Sequence, residues 1–343
     1  MHEFVCMNGT TVVLGWDGLD RTLVEEYDLA EAFGPHYSAL ETFENPVLGK
    51  PHTYELWPSI ITGRRPDEHG VHAATDDDPS HPALETARRR VRDLAPRRLG
   101  AAFDRRFGSR GAELGLLSAE HYRKRGIPTV FDGRAARPIA IPNYRVPRDY
   151  DLDIVFDRGE QFGRFLAAGE RGTESPALAA SVPRLEERLA GEAARKLGIV
   201  RAALQREYDL LFVWLGFVDT VGHLAPIAGA VDPGWQERTY RLAADWTREL
   251  RAVLGGDDRL LCVSDHGIRE GHHTPDAFVG STEEEIPETT ESVLDVRAAI
   301  DQVTPTGGDV AEPELKAAHR TDERVHVRTA ADVEEQLDGL GYL

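Results

Sequence analysis

The chain has 343 residues, of which 41% are hydrophobic, and 59 acidic side chains against 40 basic ones give it a formal charge of −19. This length and composition predict a globular protein with a sizeable core. Two cysteines far apart in sequence exclude a disulfide framework and a thiolate metal site. Because there is neither an apolar run of about 18 residues nor a basic leader, we expect no membrane span and no secretion signal.

The basic residues are almost all arginine. Only four are lysines: Lys50, Lys124, Lys196 and Lys316. An acidic surface with little lysine is typical of proteins from salt-in halophiles, which stay soluble where salt screens charge nearly completely. A GC-rich genome with ordinary acidity would produce a similar composition. We expect a cytoplasmic, halophilic protein whose charge argues against an obligate nucleic-acid partner.

Apolar segments of strand length alternate with helical segments along the chain. The clearest strand patterns are residues 10–16, 137–143, 209–217 and 259–264, and residues 182–206 predict a long crossover helix. This alternation predicts an α/β fold in three layers, with a mostly parallel central sheet sandwiched by helices.

The chain also divides by composition. We expect residues 1–306 to form one α/β domain, with a variable, lid-like segment at 73–150. The Pro- and Gly-rich segment 304–314 indicates a connection, so residues 307–343 are predicted to be a flexible connection and a C-terminal helix.

Three of the predicted strands end at an aspartate. Asp17 follows the first strand, Asp219 follows the strand at 209–217, and Asp265 follows the strand at 259–264. His223 and His266 come shortly after the last two of these acids. A single aspartate in such a place usually caps the next helix, but three in equivalent positions predict convergence, because parallel strands place their carboxyl ends at one edge of the sheet.

A further pair of histidines, His272 and His273, follows in the same loop region. Oxygen and imidazole ligands without thiolate suit Zn²⁺ or Mn²⁺. The aspartates and histidines together are more ligands than one tetrahedral ion requires. The sequence therefore predicts a site for two divalent metal ions.

Four motifs with their order and spacing resemble the alkaline phosphatase superfamily, and within it the type I phosphodiesterase and nucleotide pyrophosphatase branch. They are WDGLD (16–20), WPSIITGRRPDEHGV (57–71), FVDTVGH (217–223) and SDHG (264–267). The resemblance implies a two-metal-dependent phosphoric ester hydrolase with a small-molecule phosphate ester as substrate. The alternatives are a phosphomonoesterase or phosphomutase of the same superfamily, or a non-catalytic relative that binds an anion or a metal.

The resemblance also implies ligands and a nucleophile. One metal would be held by Asp17, Thr53, Asp265 and His266, and the other by Asp219, His223 and His273. His272 is the alternative to His273. His69 matches a family motif that carries no ligand, so a structural role is expected for it.

Thr53 aligns with the family's nucleophile when residues are counted back from the segment 57–63. The implied chemistry is attack by its hydroxyl and a phosphothreonine intermediate. A hydroxyl at a helix N-terminus is well placed for a phosphoryl group, although threonine is also a common N-cap. Ser59 and Thr62 lie inside the predicted helix, where packing roles are expected. Glu55 and Leu56 stand where the family usually has Pro and Ala, so an acid lies near the phosphate's approach.

Overall fold

The computed structural model describes residues 9–72, 117–146, 165–167, 177–229, 231–304, 306, 313–316 and 319. Its strands are β1 (Thr11–Trp16), β2 (His36–Leu40), β3 (Ala136–Ile139), β4 (Leu166–Ala167), β5 (Ala177–Leu178), β6 (Leu210–Leu215), β7 (Arg259–Val263), β8 (Gly267–Arg269), β9 (His272–Thr274) and β10 (Ala277–Ser281). Six of them form the central sheet, in the order β2-β10-β7-β1-β6-β3.

The central sheet is mostly parallel. Strand β1 pairs in parallel with β6 on one side and β7 on the other, and β3 adds to β6 in parallel. Strand β10 is antiparallel to both β7 and β2. Every residue of β1 and β6 is buried, which is the pattern of strands covered on both faces. The carboxyl ends of β7, β1 and β6 therefore lie side by side.

Helices cover both faces of this sheet. They are α1 (Arg21–Glu26), α2 (Ala30–Phe33), α3 (Thr53–Thr62), α4 (Pro66–His69), α5 (Ala119–Lys124), α6 (Val182–Ala203), α7 (Phe217–Ala228), α8 (Trp235–Arg251), α9 (Glu285–Thr289) and α10 (Val296–Val303). One hydrophobic core joins α1, α2, α6, α7 and α8 to the sheet, and a second joins α3, α5, α9 and α10 to its other face. The predicted three-layer α/β architecture is confirmed.

Strands near the edge of the sheet and in the last loop region were not predicted. Strand β2 is an edge strand with alternating exposure, and β8 and β9 form a separate hairpin of three residues each. Glu270 and Gly271 connect that hairpin, and both have positive φ, 51° and 80°. Two such residues in succession form the tight turn whose twist suits a hairpin. The segment after Asp265 is thus an ordered hairpin.

Two predicted segments fall largely outside the described residues. Of the lid-like segment at 73–150, the structure describes only 117–146, and the C-terminal helix predicted in 307–343 lies outside the described residues. The division of the chain at residue 306 stays a prediction. Among the described helices, none combines the length and apolarity that a membrane crossing requires.

Candidate metal centre and active site

The three aspartates at the strand ends meet in one place. Asp17 directly follows β1, Asp219 lies in the first turn of α7 after β6, and Asp265 comes two residues after β7. All three side chains are completely buried. The backbone N–H of Asp219 donates to the carbonyl of Asp17 at 3.0 Å, so the two strand ends are directly joined. Three buried carboxylates this close together need positive charge to offset their repulsion.

Gly18 makes this convergence possible. Its φ of +72° lies in the left-handed region, and a Cβ added there would be 2.7 Å from Cβ of Asp219. Its backbone N–H also donates to Oδ1 of Asp265 at 3.4 Å. The Asp-Gly pair therefore turns the chain sharply after β1 and lets the start of α7 approach.

His266 lies at the centre of the three carboxylates. Its Nε2 is 3.3 Å from Asp17 Oδ1, 3.4 Å from Asp265 Oδ2 and 3.9 Å from Asp219 Oδ1. Burial lowers the pKa of His266, but the carboxylates of Asp265 and Asp17 outweigh it and the net shift of the pKa is upward. The environment of this imidazole thus favours a positive charge, as expected of a position surrounded by acids.

His273 and His223 complete the cluster beside Asp219. The Nε2 atom of His273 is 3.3 Å from Asp219 Oδ1, and that of His223 is 3.5 Å from the same oxygen. The two Nε2 atoms are 2.9 Å apart. His272, the neighbour of His273 on β9, is exposed. The structure therefore brings His273 into the cluster and leaves its alternative outside.

All three imidazoles make the same kind of bond with their other nitrogen. Each Nδ1 faces a backbone carbonyl at 2.8–2.9 Å: His266 faces Gly267, His273 faces Pro51, and His223 faces Gly271. A carbonyl only accepts, so each Nδ1 carries the hydrogen and each Nε2 is directed to the carboxylates. This arrangement is typical of metal-ligating histidines, whose second nitrogen is held by an outer hydrogen bond.

The ligand atoms form two overlapping groups. Within each group the atoms lie within 4.8 Å of one another: Asp17, Asp265 and His266 form one, and Asp219, His266 and His273 form the other. Three buried or nearly buried donors per group, all oxygen or imidazole nitrogen, suit a divalent ion such as zinc or manganese. The side chains present therefore fit a divalent metal, and His266 belongs to both groups.

Thr53 is the first residue of α3 and is 3% exposed. Its Oγ1 is 3.2 Å from Asp17 Oδ1 and 3.0 Å from His266 Nε2. The N-cap of the helix is His52, whose Nδ1 accepts from the N–H of Tyr54 at 3.3 Å. The alternative in which Thr53 serves only as the N-cap is therefore wrong, because its hydroxyl faces the acidic cluster.

The helix that carries Thr53 contains Pro58, which cannot donate to the carbonyl of Tyr54. The side-chain Nδ2 of Asn143 donates to that carbonyl at 3.0 Å and replaces the missing bond. Farther along, the hydroxyl of Thr62 donates to the Pro58 carbonyl, which accounts for Thr62 within the helix.

His69 and Ser59 form a buried pair away from the metal ligands. Ser59 Oγ is 2.9 Å from His69 Nε2, and His69 Nδ1 accepts from the N–H of Val71. Burial lowers the pKa of His69 to about 4, so the ring is neutral at neutral pH. These contacts are those of a structural histidine.

Glu55 is buried and two residues beyond Thr53. Its Oε1 accepts from Nδ2 of Asn45 at 2.8 Å, and Oδ1 of Asn45 accepts from the backbone N–H groups of Val47 and Leu48. Through Asn45, Glu55 therefore stabilises the turn that precedes α3, and Glu55 itself lies in the first turn of that helix.

Sequence reasoning missed the support beneath the β8–β9 hairpin, which comes from Asp20. Its Oδ2 accepts from Oγ1 of Thr274 at 2.7 Å and from Nε of Arg269 at 3.1 Å, so it bridges both strands. A Cβ added at Gly267 would be 2.3 Å from the same oxygen, which explains the glycine in SDHG. In the sequence, the second acid of WDGLD, Asp20, was the feature that could have indicated this contact.

Comparison with solved structures finds similar chains, among them three of low sequence identity. The alkaline phosphatase from the Antarctic bacterium TAB5 is 12% identical, with a TM-score of 0.40 over 86% of this chain and 98% of that one. A protein from Pyrococcus horikoshii is 12% identical, with a TM-score of 0.40 over 86% of this chain and 96% of that one. Murine ectonucleotide pyrophosphatase / phosphodiesterase 5 is 14% identical, with a TM-score of 0.36 over 75% of this chain and 57% of that one.

A comparison with curated proteins gives no match. The family model of type I phosphodiesterase / nucleotide pyrophosphatase matches residues 11–339, a range that contains every side chain of the cluster. The chain belongs to the type I phosphodiesterase / nucleotide pyrophosphatase family, and it is a phosphoric ester hydrolase.

Proposed function

We propose that the protein is a two-metal-dependent phosphodiesterase or nucleotide pyrophosphatase that acts through Thr53. The observation that carries this proposal is the position of the Thr53 hydroxyl, within 3.2 Å of both Asp17 and His266 at the start of α3. A nucleophilic hydroxyl needs activation, and a buried cluster of metal ligands beside it supplies the means. Its place at a helix N-terminus also favours an anionic phosphoryl group.

The ligands are proposed in two sets. Asp17, Asp265, His266 and the Thr53 hydroxyl would hold one divalent ion, and Asp219, His223 and His273 the other, with zinc or manganese as the metal. The Nδ1 bonds to carbonyls support this assignment because they leave each Nε2 available. When bound, such ions supply Lewis acidity that lowers the pKa of a hydroxyl and offsets charge on phosphate oxygens.

The chain's own residues then account for two displacement steps. The Thr53 hydroxyl gives up its proton as its oxygen bonds to phosphorus, and the ester oxygen leaves with the bonding electron pair and takes up a proton. A water molecule next bonds to phosphorus and gives up a proton as the P–O bond to Thr53 breaks, so the Thr53 oxygen regains its proton and the phosphorylated product is released. The buried ligands hold Thr53 in place and exclude competing water from its side of the site.

The small-molecule substrate is proposed to be a phosphodiester or pyrophosphate, in keeping with the type I phosphodiesterase / nucleotide pyrophosphatase family. Glu55 does not enter this choice, because its carboxylate is bonded to Asn45 and residues two apart on a helix do not share a face.

Hydrolysis of bis-p-nitrophenyl phosphate and p-nitrophenyl phosphate with added Zn²⁺ or Mn²⁺ tests this proposal. The diester should be the better substrate. Preference for the monoester in the unaltered protein would indicate a phosphomonoesterase. Bound metal without turnover of either ester would indicate a non-catalytic relative.

We also propose that the protein works in the cytoplasm of a salt-in halophile, on the basis of its −19 charge and four lysines. At 0.01 M salt the Debye length is about 30 Å, against about 3 Å at 1 M, so acidic side chains repel one another across the molecule when salt is removed. The melting temperature should therefore rise from dilute buffer to multimolar KCl. A chelator should lower it most at low salt, since metal ions and salt both relieve the repulsion. A melting temperature that is flat or falls with salt would contradict the halophile proposal.

A further inference from the structure

The indole of Trp214, near the end of β6, contacts one of the proposed metal ligands. Its Nε1 donates to Oδ2 of Asp17 at 3.0 Å, and both side chains are buried. The other oxygen of Asp17 faces Thr53 at 3.2 Å and His266 at 3.3 Å. The two oxygens of this carboxylate therefore have separate partners: Oδ2 is bonded to the indole, and Oδ1 faces Thr53 and His266.

The indole ring is held between a glycine and a lysine. A Cβ added at Gly216 would be 2.6 Å from the ring, so only glycine leaves room for the indole at the end of the strand. The ammonium of Lys196, on α6, lies 4.3 Å from the ring centroid and donates to the Trp214 carbonyl at 3.0 Å. Lys196 is only 4% exposed, so its charge acts on the ring with little screening by water.

We propose that Trp214 is a positioning residue for Asp17 and that Lys196 holds the indole in place. A carboxylate free to rotate about its last bond presents its oxygens in many directions, and a hydrogen bond to Oδ2 restricts that rotation. Oδ1 is then kept toward Thr53 and His266. A cation on the face of the ring draws electron density from the indole and makes its N–H a stronger donor. The inference rests on the proposed function, because it concerns the binding of the metal that Asp17 would hold.

The buried lysine also places positive charge behind the acidic cluster. Lys196 reaches Trp214, and Trp214 reaches Asp17, so a continuous chain of contacts runs from α6 to the site. Burying an ammonium is costly unless it has partners, and the partners of Lys196 include a backbone carbonyl, the indole ring and the carboxylate of Glu192 one helical turn away. This arrangement explains why one of only four lysines lies in the core.

Zinc titration of the purified full chain tests the inference through two variants that remove the same group. Trp214→Phe keeps an aromatic ring over Gly216 and removes the N–H that faces Asp17. Trp235→Phe is the matched control, because Trp235 is fully buried and its N–H has no hydrogen-bond partner among the described residues. Calorimetry should show that the affinity for Zn²⁺ at the site that Asp17 would form is reduced about 10- to 100-fold in W214F. The affinity should be unchanged in W235F.

A spectroscopic readout separates positioning from a loss of packing. In protein labelled with ¹⁵N-tryptophan, the indole N–H resonance bonded to a carboxylate should lie downfield and should shift when Zn²⁺ is added. That resonance is missing in W214F, and it should move upfield in Lys196→Met, which removes the cation and keeps the N–H. If W214F does not fold, the Lys196→Met shift and its smaller loss of zinc affinity still decide the matter.

The possible outcomes distinguish the two proposals. If the unaltered protein binds no Zn²⁺, the proposed metal site itself fails. A different result refutes only the role of Trp214. In that case the unaltered protein binds Zn²⁺, W214F or K196M binds it equally well, and the Trp214 indole resonance of the unaltered protein does not respond to the metal.

Discussion

Replacement of Thr53 by alanine should reduce turnover by at least about 10³-fold while leaving the fold and the metal content nearly unchanged. The hydroxyl is proposed as the attacking atom, so its removal eliminates the covalent step, and tighter substrate binding cannot compensate. The other proposed ligands should still hold the metal, since Thr53 would contribute one oxygen beside the carboxylates and imidazoles. Steady-state rates on bis-p-nitrophenyl phosphate, with metal analysis of the same samples, measure both effects.

The control for this variant lies in the same helix. Thr62→Val removes another buried hydroxyl of α3, one that bonds only to a backbone carbonyl of its own helix, and should keep most of the activity. Thr53→Ser retains an attacking oxygen and should keep measurable turnover. Acid quenching during turnover should trap phosphate on Thr53 in the unaltered protein. A T53A rate equal to that of the unaltered protein would exclude this residue and make Ser59 the next candidate.

Replacement of Gly18 by alanine should abolish high-affinity metal binding and lower the melting temperature. Two effects add at this position. The left-handed backbone conformation costs about 1–2 kcal/mol for any residue with a Cβ. The added carbon would also lie 2.7 Å from Asp219 Cβ and 2.9 Å from its Cα, so the start of α7 must move away from Asp17. Because Asp17 and Asp219 belong to different proposed ligand sets, their separation should disturb both.

Gly133→Ala isolates the first of these effects. Gly133 has a φ of +75°, nearly the same as Gly18, but a Cβ there would meet nothing within 4 Å. This variant should lose only the stability that corresponds to backbone strain and should bind Zn²⁺ as the unaltered protein does. Calorimetric titration and thermal melts of the two variants give the comparison. Equal metal affinity in G18A and G133A would show that close approach at Gly18 does not hold the two strand ends together.

The sequence by itself determined the central architecture and the identity of the acidic side chains. Strands β1, β6 and β7 are buried on both faces, so each appears in the sequence as an unbroken apolar run, and the acid that ends each run is visible without a structure. Parallel strands have one common carboxyl edge, which is why Asp17, Asp219 and Asp265 were expected to meet. Thr53 was predicted as the nucleophile through resemblance and a count of residues within one helix, which preserves spacing.

Tertiary structure alone decided between His272 and His273. Neighbouring residues on a strand face opposite sides, so only one of the two can face the cluster. The register of the β8–β9 hairpin, with His273 opposite Ile268, decided which one does. Strand β2 was also missed, because an edge strand with one exposed face has a weak apolar pattern.

The contacts that orient the ligands were likewise beyond the sequence. The carbonyls that bind the histidine Nδ1 atoms, the indole that holds Asp17 and the lysine over that indole come from segments far apart in the chain. A backbone carbonyl carries no residue-specific signal, and a buried tryptophan in a strand has the same pattern as any core residue. Residue type and local spacing therefore determine which groups can act as ligands and nucleophile. Which atom of each group faces the site depends on packing between segments that no local pattern encodes.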